Sequence, residues 1–401
     1  MNAPTYHRAA TVHLNTAGLG RMSASARAVL TECVRLDDHY GAHELEERVE
    51  SVVHTEIHQR LGDLLNAPSG STELFTTGAA AYDAYVSRLP LDRHHRVWTT
   101  PYESAAHLGT LHALRERTGC RIEVVPLRPD GDLDLDWMAE HIDDDVALVS
   151  VAHVPATRGI VAPVEEIGRL LAPHRCLYAV DAAYSVGQLP VDVRRIGCRL
   201  LTGDAWRFLR GPRSVGFAYA DPHLRSEQAE ADRAEADLVR AVADLGLGEF
   251  ASDGFTPAPA APATAAVAAF NESLAQHART VPAAREDLLS ALRAAVEAVE
   301  GIELLTPGRA QSAVLAFHHP DLPSALIRRR LAARGVAVWK TVAQETPLLA
   351  DPLGPATALR VSVHHDNAPE DITRFAEALR EVVREERARP ARPVGHRLHV
   401  V

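Results

Sequence analysis

Short apolar segments alternate with helical patterns between residues 72 and 220, and this alternation constrains the fold more than any other sequence feature. The apolar segments read "ELFTTG", "HRVWTT", "RIEVVPL", "VALVSVAHV", "CLYAVDAA", "CRLLTGD" and "SVGFAYA". Strands that alternate with helices form mostly parallel sheets whose faces the helices cover. We therefore predict a large α/β domain built on a mostly parallel, seven-stranded sheet.

The pattern changes after the Pro- and Ala-rich segment "TPAPAAPATAA", which is typical of a domain boundary or hinge. Beyond about residue 260, helices alternate with the segments "SAVLAFHH", "GVAVWK" and "ALRVSVH", and a long helix, "PEDITRFAEALREVVREERA", follows. We predict four parts: an N-terminal arm (1–20), a large α/β domain (21–255), a smaller C-terminal α+β domain (256–390) and a tail (391–401).

Composition narrows the possible partners of the chain. A net charge of −11 over 401 residues gives no electrostatic support for nucleic-acid binding, and no apolar run approaches membrane-spanning length. The first residues, "MNAPTYHRAATVHLN", lack the apolar region of a secretory signal. The four cysteines are scattered without metal-ligand spacing. We therefore predict a cytoplasmic protein with reduced thiols, no metal centre, and no nucleic-acid or membrane partner.

An aspartate ends one of the predicted strands, in "LYAVDAAYSVGQLPVDV". Ligands of open α/β sheets bind at the carboxyl ends of the strands, so Asp181 is a candidate ligand-binding carboxylate. The alternative is that Asp181 only caps a neighbouring helix.

The chain resembles the class V aminotransferases of pyridoxal phosphate (PLP) fold type I over roughly residues 12 to 385. That group includes cysteine desulfurases, isopenicillin N epimerase-like proteins and hercynylcysteine sulfoxide lyases. The segments that carry the resemblance are "HLNTAGLG", "ELFTTGAAAYDA", "VSVAHVPATRGIVAPVEEIG", "VDAAYSVGQLPVDV" and "LRVSVHHDN". The resemblance implies a PLP-type cleft between the subunits of a homodimer.

Residues that match the family's motifs acquire roles by resemblance. Asp181 matches the partner of the pyridine nitrogen, Tyr102 falls where a ring stacks on the cofactor, and Arg360 matches the clamp for a substrate carboxylate. The other matching positions are Asn15 in the N-terminal loop, Thr77, Gly78 and Ala79 in the phosphate turn, and His153 and Thr157 near the cofactor ring. Tyr102 and His153 are alternatively ordinary core residues, and Arg360 is alternatively half of a structural ion pair.

Several positions depart from the family pattern, and most lie on the aldehyde and phosphate side. Arg207 stands where the family has the lysine of the Schiff base, and a guanidinium does not replace an amine in that bond. Asp204, Trp206 and Ala80 replace residues near the phosphate, and Tyr184 replaces a Gln. The segment "GEFASDGF" lacks the contact that the family receives from its second subunit.

The chain contains one lysine, Lys340, in "GVAVWKTVAQETPLL". This segment aligns with the cysteine desulfurase loop that carries the nucleophilic cysteine, and Gln344 occupies that position. Lys340 is a candidate for a relocated catalytic amine, or alternatively a solvated loop residue.

Three hypotheses follow. The first is an enzyme that holds PLP or pyridoxamine phosphate (PMP) without a covalent bond and moves protons with His153 or Lys340. The second is a repurposed enzyme of amino-acid or secondary metabolism that acts on a small anionic metabolite, with Arg207 and Arg360 as clamps and Tyr102, His153 and Asp181 as acid–base candidates. The third is a silent protein or partner subunit in which Arg207 pairs with Asp181 or Asp204 and fills the pocket. We favour the second hypothesis.

Overall fold

The computed structural model describes residues 11–227, 262–279, 284–305, 308–349 and 357–388. Its strands are β1 (Val12–His13), β2 (Thr72–Phe75), β3 (Arg96–Thr99), β4 (Arg121–Val124), β5 (Val146–Ala152), β6 (Leu177–Asp181), β7 (Leu200–Asp204), β8 (Gly216–Ala220), β9 (Glu303–Leu304), β10 (Val314–His318), β11 (Val336–Ala337), β12 (Trp339–Lys340) and β13 (Leu359–Ser362).

The main helices surround these strands. They are α1 (Thr16–Leu19), α2 (Ala24–Tyr40), α3 (Ala42–Arg48), α4 (Ile57–Leu65), α5 (Gly78–Val86), α6 (Ala105–Thr118), α7 (Leu135–His141), α8 (Val164–Leu171), α9 (Val193–Ile196), α10 (Thr264–His277), α11 (Ala284–Glu297), α12 (Ser324–Ala333) and α13 (Pro369–Arg387). None of the helices in the described part of the chain is both long and apolar enough to cross a membrane.

The large sheet contains the seven predicted strands, in the spatial order β2-β8-β7-β6-β5-β3-β4. The four pairs from β7 to β4 are parallel, and β8 runs antiparallel to both of its neighbours. The prediction of a mostly parallel, seven-stranded α/β sheet is therefore confirmed. Both faces carry apolar clusters: the α8 side buries Ile167 and Val180, and the α5–α6 side buries Tyr82 and Leu111.

Short polar side chains fix where several helices begin. The hydroxyls of Ser23, Thr77 and Ser104 accept backbone N–H groups at the starts of α2, α5 and α6, and the carboxylate of Asp134 does so at α7. Each cap satisfies a backbone donor that the first helical turn leaves unpaired. Because α5 and α6 follow β2 and β3 directly, these caps bring two helix N-termini to the same end of the sheet as Asp181.

The C-terminal strands form a second, four-stranded sheet in the order β12-β13-β10-β9, with all pairs antiparallel. Strand β1 pairs in parallel with β11, so Val12 and His13 of the predicted N-terminal arm lie against Val336 and Ala337. The domain boundaries remain predictions. Residues 228–261, which include "GEFASDGF" and the start of the Pro-rich segment, and residues 389–401 lie outside the described residues.

The register of the parallel strands brings polar residues together at their carboxyl ends. Ala152 of β5, Asp181 of β6 and Thr202 of β7 occupy one row across the sheet. Asp204, two residues after Thr202, therefore points to the same face, which α5 and α6 cover. This face contains the candidate site.

Candidate functional site

Asp181 lies at the centre of the site, at the end of β6, with 11% of its side chain exposed. Its Oδ1 accepts the backbone N–H of Ala183 at 2.8 Å. Its Oδ2 lies 4.0 Å from Nδ1 of His107, which is beyond hydrogen-bond distance. Burial raises the pKa of Asp181, an effect that the charge of His107 opposes and that Glu103 and Asp204 reinforce.

A buried network that the sequence analysis missed lies next to Asp181. Glu103 accepts from Nδ1 of His107 at 3.0 Å and from the hydroxyl of Ser150 at 2.9 Å. Tyr82 donates to Ser150 and stacks its ring on the imidazole of His107, with centroids 3.8 Å apart. Burial opposes charge on both groups, yet their mutual attraction lowers the pKa of Glu103 and raises that of His107. The contact with Glu103 thus favours the protonated form of His107 beside Asp181.

The N-terminus of α5 binds an anion supplied by the chain itself. The backbone N–H of Gly78 donates to Oδ1 of Asp204 at 2.9 Å, while Thr77 accepts from the N–H of Ala80. Ala79 follows in the same turn and, like Ala80, brings no hydroxyl to it. Gly78 also packs closely on β7, since a Cβ there would lie 3.0 Å from the carbonyl oxygen of Gly203.

Arg207 pairs with the same carboxylate. Its Nε lies 3.2 Å from Oδ2 of Asp204, and its Nη1 donates to the carbonyl oxygen of Ala17 at 2.7 Å. The guanidinium stacks on the ring of Tyr184, with Cζ 3.8 Å from the ring centroid. Three interactions therefore hold Arg207, and the pairing with Asp204 matches the geometry of the third hypothesis. Trp206 contacts the N-terminal segment through its backbone carbonyl oxygen, which accepts the N–H of Gly20.

Arg360 also lies near Tyr184, with its Cζ 5.6 Å from the ring centroid. It belongs to β13 and has only 1% of its surface exposed. Its Nη1 donates to the carbonyl oxygen of Ala156. Within the described ranges, its Nε has no hydrogen-bond partner and the guanidinium has no carboxylate partner. The structural ion pair considered for Arg360 is therefore not formed with any described residue.

Asn15 completes the surroundings of Arg360. Its Oδ1 is buried and has no partner among the residues that the structure describes. A Cβ on Gly18 would lie 2.4 Å from this oxygen and 3.0 Å from Nη2 of Arg360, so both side chains pack against Gly18. Nε of Arg360 and Oδ1 of Asn15, two buried atoms without partners among the described residues, lie on side chains that pack together, which is a pattern typical of a polar ligand site.

The two predicted ring-side residues, His153 and Thr157, have their own surroundings. Nδ1 of His153 is buried and unpartnered in the described structure, and burial lowers its pKa to about 4. His153 lines a cavity of about 260 Å³ with Pro163, Glu166 and Arg169 of the α8 segment. Thr157 is buried and its hydroxyl lies 3.0 Å from that of Thr346. His153 points to the opposite face of β5 from Ala152, and its role near a cofactor ring stays a prediction.

Tyr102 is also placed away from Asp181. It is buried in the apolar cluster on the α8 side, and its hydroxyl donates to the carbonyl oxygen of Gly131 at 2.7 Å. Burial raises the pKa of Tyr102, an effect that the charge of Arg158 opposes and that Asp132 and Asp130 reinforce. With its hydroxyl already bonded and its ring in the core, Tyr102 corresponds to the core-residue alternative.

Lys340 does not share a face with Arg360. Strand β12 pairs with β13 so that Trp339 lies opposite Arg360 and Lys340 lies opposite Leu359. Since neighbouring residues of a strand point to opposite faces, Lys340 points away from the Arg360 side. Gln344, in the short 3₁₀ turn Ala343–Glu345, is exposed. The role of Lys340 as a relocated catalytic amine stays a prediction, and the alternative of a solvated loop lysine stays open.

A cofactor phosphate does not fit the start of α5 as these residues are arranged. The Gly78 N–H and the Arg207 guanidinium are the donors there, and the carboxylate of Asp204 already accepts from both. Asp204 is 6% exposed, so a dianionic phosphate beside it would meet a poorly solvated negative charge. The hydroxyl of Thr77 is also engaged in its helix cap.

Comparison with known proteins agrees with the fold. A family model described as "Aminotransferase class-V" matches residues 36–375. A probable cysteine desulfurase of Halobacterium salinarum is 30% identical over 193 residues, which cover 47% of this chain and 46% of that protein. The chain spans about half the length of the curated relatives it matches.

Two solved structures have the same fold. An apo cysteine desulfurase from Thermococcus onnurineus superimposes with a TM-score of 0.78 at 18% identity, covering 94% of this chain and 95% of that one. A mutant of C-DES, with glycine covalently linked to its PLP cofactor, gives a TM-score of 0.76 at 17% identity, covering 94% of this chain and 100% of that one.

Proposed function

Because the chain belongs to the class-V aminotransferase family, we propose that its cleft binds a small, anionic, amino-acid-derived metabolite without forming a Schiff base at residue 207. The proposal makes the protein a repurposed enzyme, in which side chains of the old cofactor cleft bind and protonate a ligand directly. The contacts of Arg207 support the absence of a Schiff base at this position. Its guanidinium is engaged by Asp204, Ala17 and Tyr184.

The buried Nε of Arg360, which has no partner among the described residues, carries the proposal. A buried cation is expensive unless a counter-charge compensates it, and no described residue supplies a carboxylate to Arg360. A ligand carboxylate would provide that charge and could accept two parallel hydrogen bonds from the guanidinium. The amide of Asn15 lies at the same place and can donate to such a ligand.

Asp181 and His107 are the acid–base candidates that the geometry favours. Oδ2 of Asp181 makes no hydrogen bond with the described residues, and burial raises the pKa of this carboxyl group. Asp181 can therefore hold a proton at Oδ2 and give it to a bound ligand, while the charged imidazole of His107 stabilises the carboxylate that results. His153 and Tyr102 lie on the α8 side and have no part in this scheme.

A silent partner subunit is the second candidate function. The observation that favours it is the Arg207–Asp204 pair, which occupies donors that a ligand phosphate would need. In that role the cleft would turn over no substrate and the chain would act by binding an active relative.

Binding measurements on purified protein test the proposal. We expect isothermal titration against a panel of amino acids, keto acids and N-acyl amino acids to identify a carboxylate ligand. Arg360→Gln should weaken that binding by about a hundredfold, or about 3 kcal/mol, because it removes a charged, two-bond contact. Arg195→Gln is the matched control, since Arg195 is an exposed arginine paired with Glu165.

The outcomes separate the candidates. Binding that Arg360→Gln weakens by about a hundredfold and Arg195→Gln preserves supports the carboxylate site, and turnover of the ligand identifies an enzyme. Binding that survives Arg360→Gln contradicts the assigned role of Arg360. If no carboxylate binds and the chain instead forms a complex with an active class V protein, the partner-subunit function is correct. An absorbance band near that of bound PLP, retained after dialysis, would support the non-covalent PLP or PMP hypothesis instead.

A further inference from the structure

We propose that the chain carries its own anion at the start of α5, where the carboxylate of Asp204 takes the place of a phosphate group. The site is therefore a latent phosphate site that opens when this carboxylate is removed. The ligand class is inorganic phosphate or a phosphate monoester. This inference concerns α5 and β7 and stands independently of carboxylate binding at Arg360.

Asp204 has the geometry of a bound anion. It ends β7, points to the face that α5 covers, and accepts the Gly78 N–H at 2.9 Å with Oδ1. The first N–H groups of a helix and the helix dipole favour a negative charge at this position. Helix α5 is nine residues long, so the dipole is that of a full helix rather than of an isolated turn.

Arg207 contributes a second donor that does not depend on Asp204 for its position. Its Nη1 is bonded to the carbonyl oxygen of Ala17, and its guanidinium stacks on Tyr184. Only its Nε is directed to Asp204. Without the carboxylate, the Arg207 guanidinium would therefore keep its position, and its Nε would be a free donor near the Gly78 N–H.

Thr202 supplies an observation that itself points to a ligand. Its side chain is 1% exposed, and its hydroxyl has no hydrogen-bond partner in the described parts of the chain. It occupies the same face of β7 as Asp204 and lies in register with Asp181. A buried hydroxyl without a partner is rare in folded proteins, and this one lies two residues before the bound carboxylate on the same face of β7.

Asp204 excludes a phosphate for two reasons. It occupies both donors, and its own negative charge repels an incoming dianion in a poorly solvated place. Serine at position 204 removes the charge, frees the Gly78 N–H and the Arg207 Nε, and adds a hydroxyl donor.

The test compares the wild-type protein with Asp204→Ser in buffers of equal ionic strength containing either chloride or inorganic phosphate. We expect phosphate to raise the unfolding temperature of Asp204→Ser and to leave that of the wild-type protein unchanged. Titration calorimetry should show phosphate binding to Asp204→Ser about tenfold or more tighter than to the wild-type protein. Pyridoxal phosphate should also bind the variant, whereas pyridoxal without phosphate should not.

Two further variants make the test specific. In Asp204→Ser combined with Arg207→Gln, the affinity for phosphate should fall back toward the wild-type value, because a charged donor is lost. Asp132→Ser is the matched control: Asp132 is also a buried aspartate paired with an arginine, Arg309, but it lies outside this site. It should acquire no phosphate binding.

The proposal is overturned if the wild-type protein binds phosphate as tightly as Asp204→Ser, or if folded Asp204→Ser does not respond to phosphate. Should Asp204→Ser fail to fold in chloride, recovery of the folded protein in phosphate supports the latent site, and no recovery in phosphate counts against it.

Discussion

Arg207 makes several of the contacts that fix the charge balance and the packing of the cleft. Its guanidinium neutralises Asp204, stacks on Tyr184 and binds the N-terminal segment through Ala17. The residue type alone excluded a Schiff base at this position. The sequence could not reveal which of two aspartates Arg207 would pair with, because that depends on the turn geometry after β7.

Removal of Arg207 should destabilise the protein. Arg207→Ala leaves the carboxylate of Asp204 buried with only the Gly78 N–H as a partner, and we expect a loss of about 3 kcal/mol in the free energy of unfolding. Arg195→Ala removes an exposed pair with Glu165 and should cost about 0–1 kcal/mol. Urea denaturation measures both. Equal losses for the two variants would show that the Arg207–Asp204 pair is not structural.

A lysine introduced at position 207 should not create a PLP site. Arg207→Lys returns the chemical group for a Schiff base, but Asp204 still occupies the start of α5 and Ala80 still offers no hydroxyl. We expect weak absorbance at the wavelength of a PLP Schiff base after mixing with PLP. A strong yellow colour that survives dialysis would mean that the phosphate is held despite Asp204.

His107 should make stability depend on pH. Although burial opposes its charge, Glu103 raises the pKa of His107 above its unfolded value of about 6.5. The stabilisation from a raised pKa is complete below about pH 6.5 and is lost as pH rises through the folded value. The free energy of unfolding should therefore fall with pH above this point in the wild-type protein. In His107→Gln the fall should be smaller. Asp181 and Asp204 remain in this variant, and since burial raises the pKa of both, some dependence on pH remains with them.

At the scale of elements, strand register decided which candidate residues meet. The row formed by Ala152, Asp181 and Thr202 follows from parallel pairing, so the sheet and the position of Asp181 were predictable from the strand pattern. The strand faces to which His153 and Lys340 point were not predictable, because a shift of one residue exchanges the two faces of a strand. Glu103 and His107 were missed because their contact requires the cap at Ser104 to start α6.

Helix α1 offers a test of the packing around Arg360. In Gly18→Ala the new Cβ would lie 2.4 Å from Oδ1 of Asn15, so the amide must move toward or away from Arg360. We expect the affinity for the carboxylate ligand to fall by about tenfold, with a small change in the unfolding temperature. Gly109→Ala is the control, since a Cβ there meets no atom within 4 Å. An unchanged affinity in Gly18→Ala would exclude Asn15 from the ligand site.

For the whole molecule, we expect a homodimer. The resemblance to class V aminotransferases implies a cleft between subunits, and a chain that retains the cleft should retain the pairing surface. Light scattering at micromolar concentration should give twice the mass of 43.4 kDa. A stable monomer would contradict the expectation and would require the ligand site to be complete within one chain.

The pairing of β1 with β11 also sets the order in which the site can form during synthesis. Val12 binds Val336, so 324 residues must be added before the first strand has its partner. At about 5–20 residues per second, this interval is about 16–65 s on the ribosome. Until then Ala17 and Asn15 have no fixed place, and Arg207, made midway, lacks one of its carbonyl acceptors. The cleft is therefore among the last parts of the protein to be completed, although its first residues are among the earliest made.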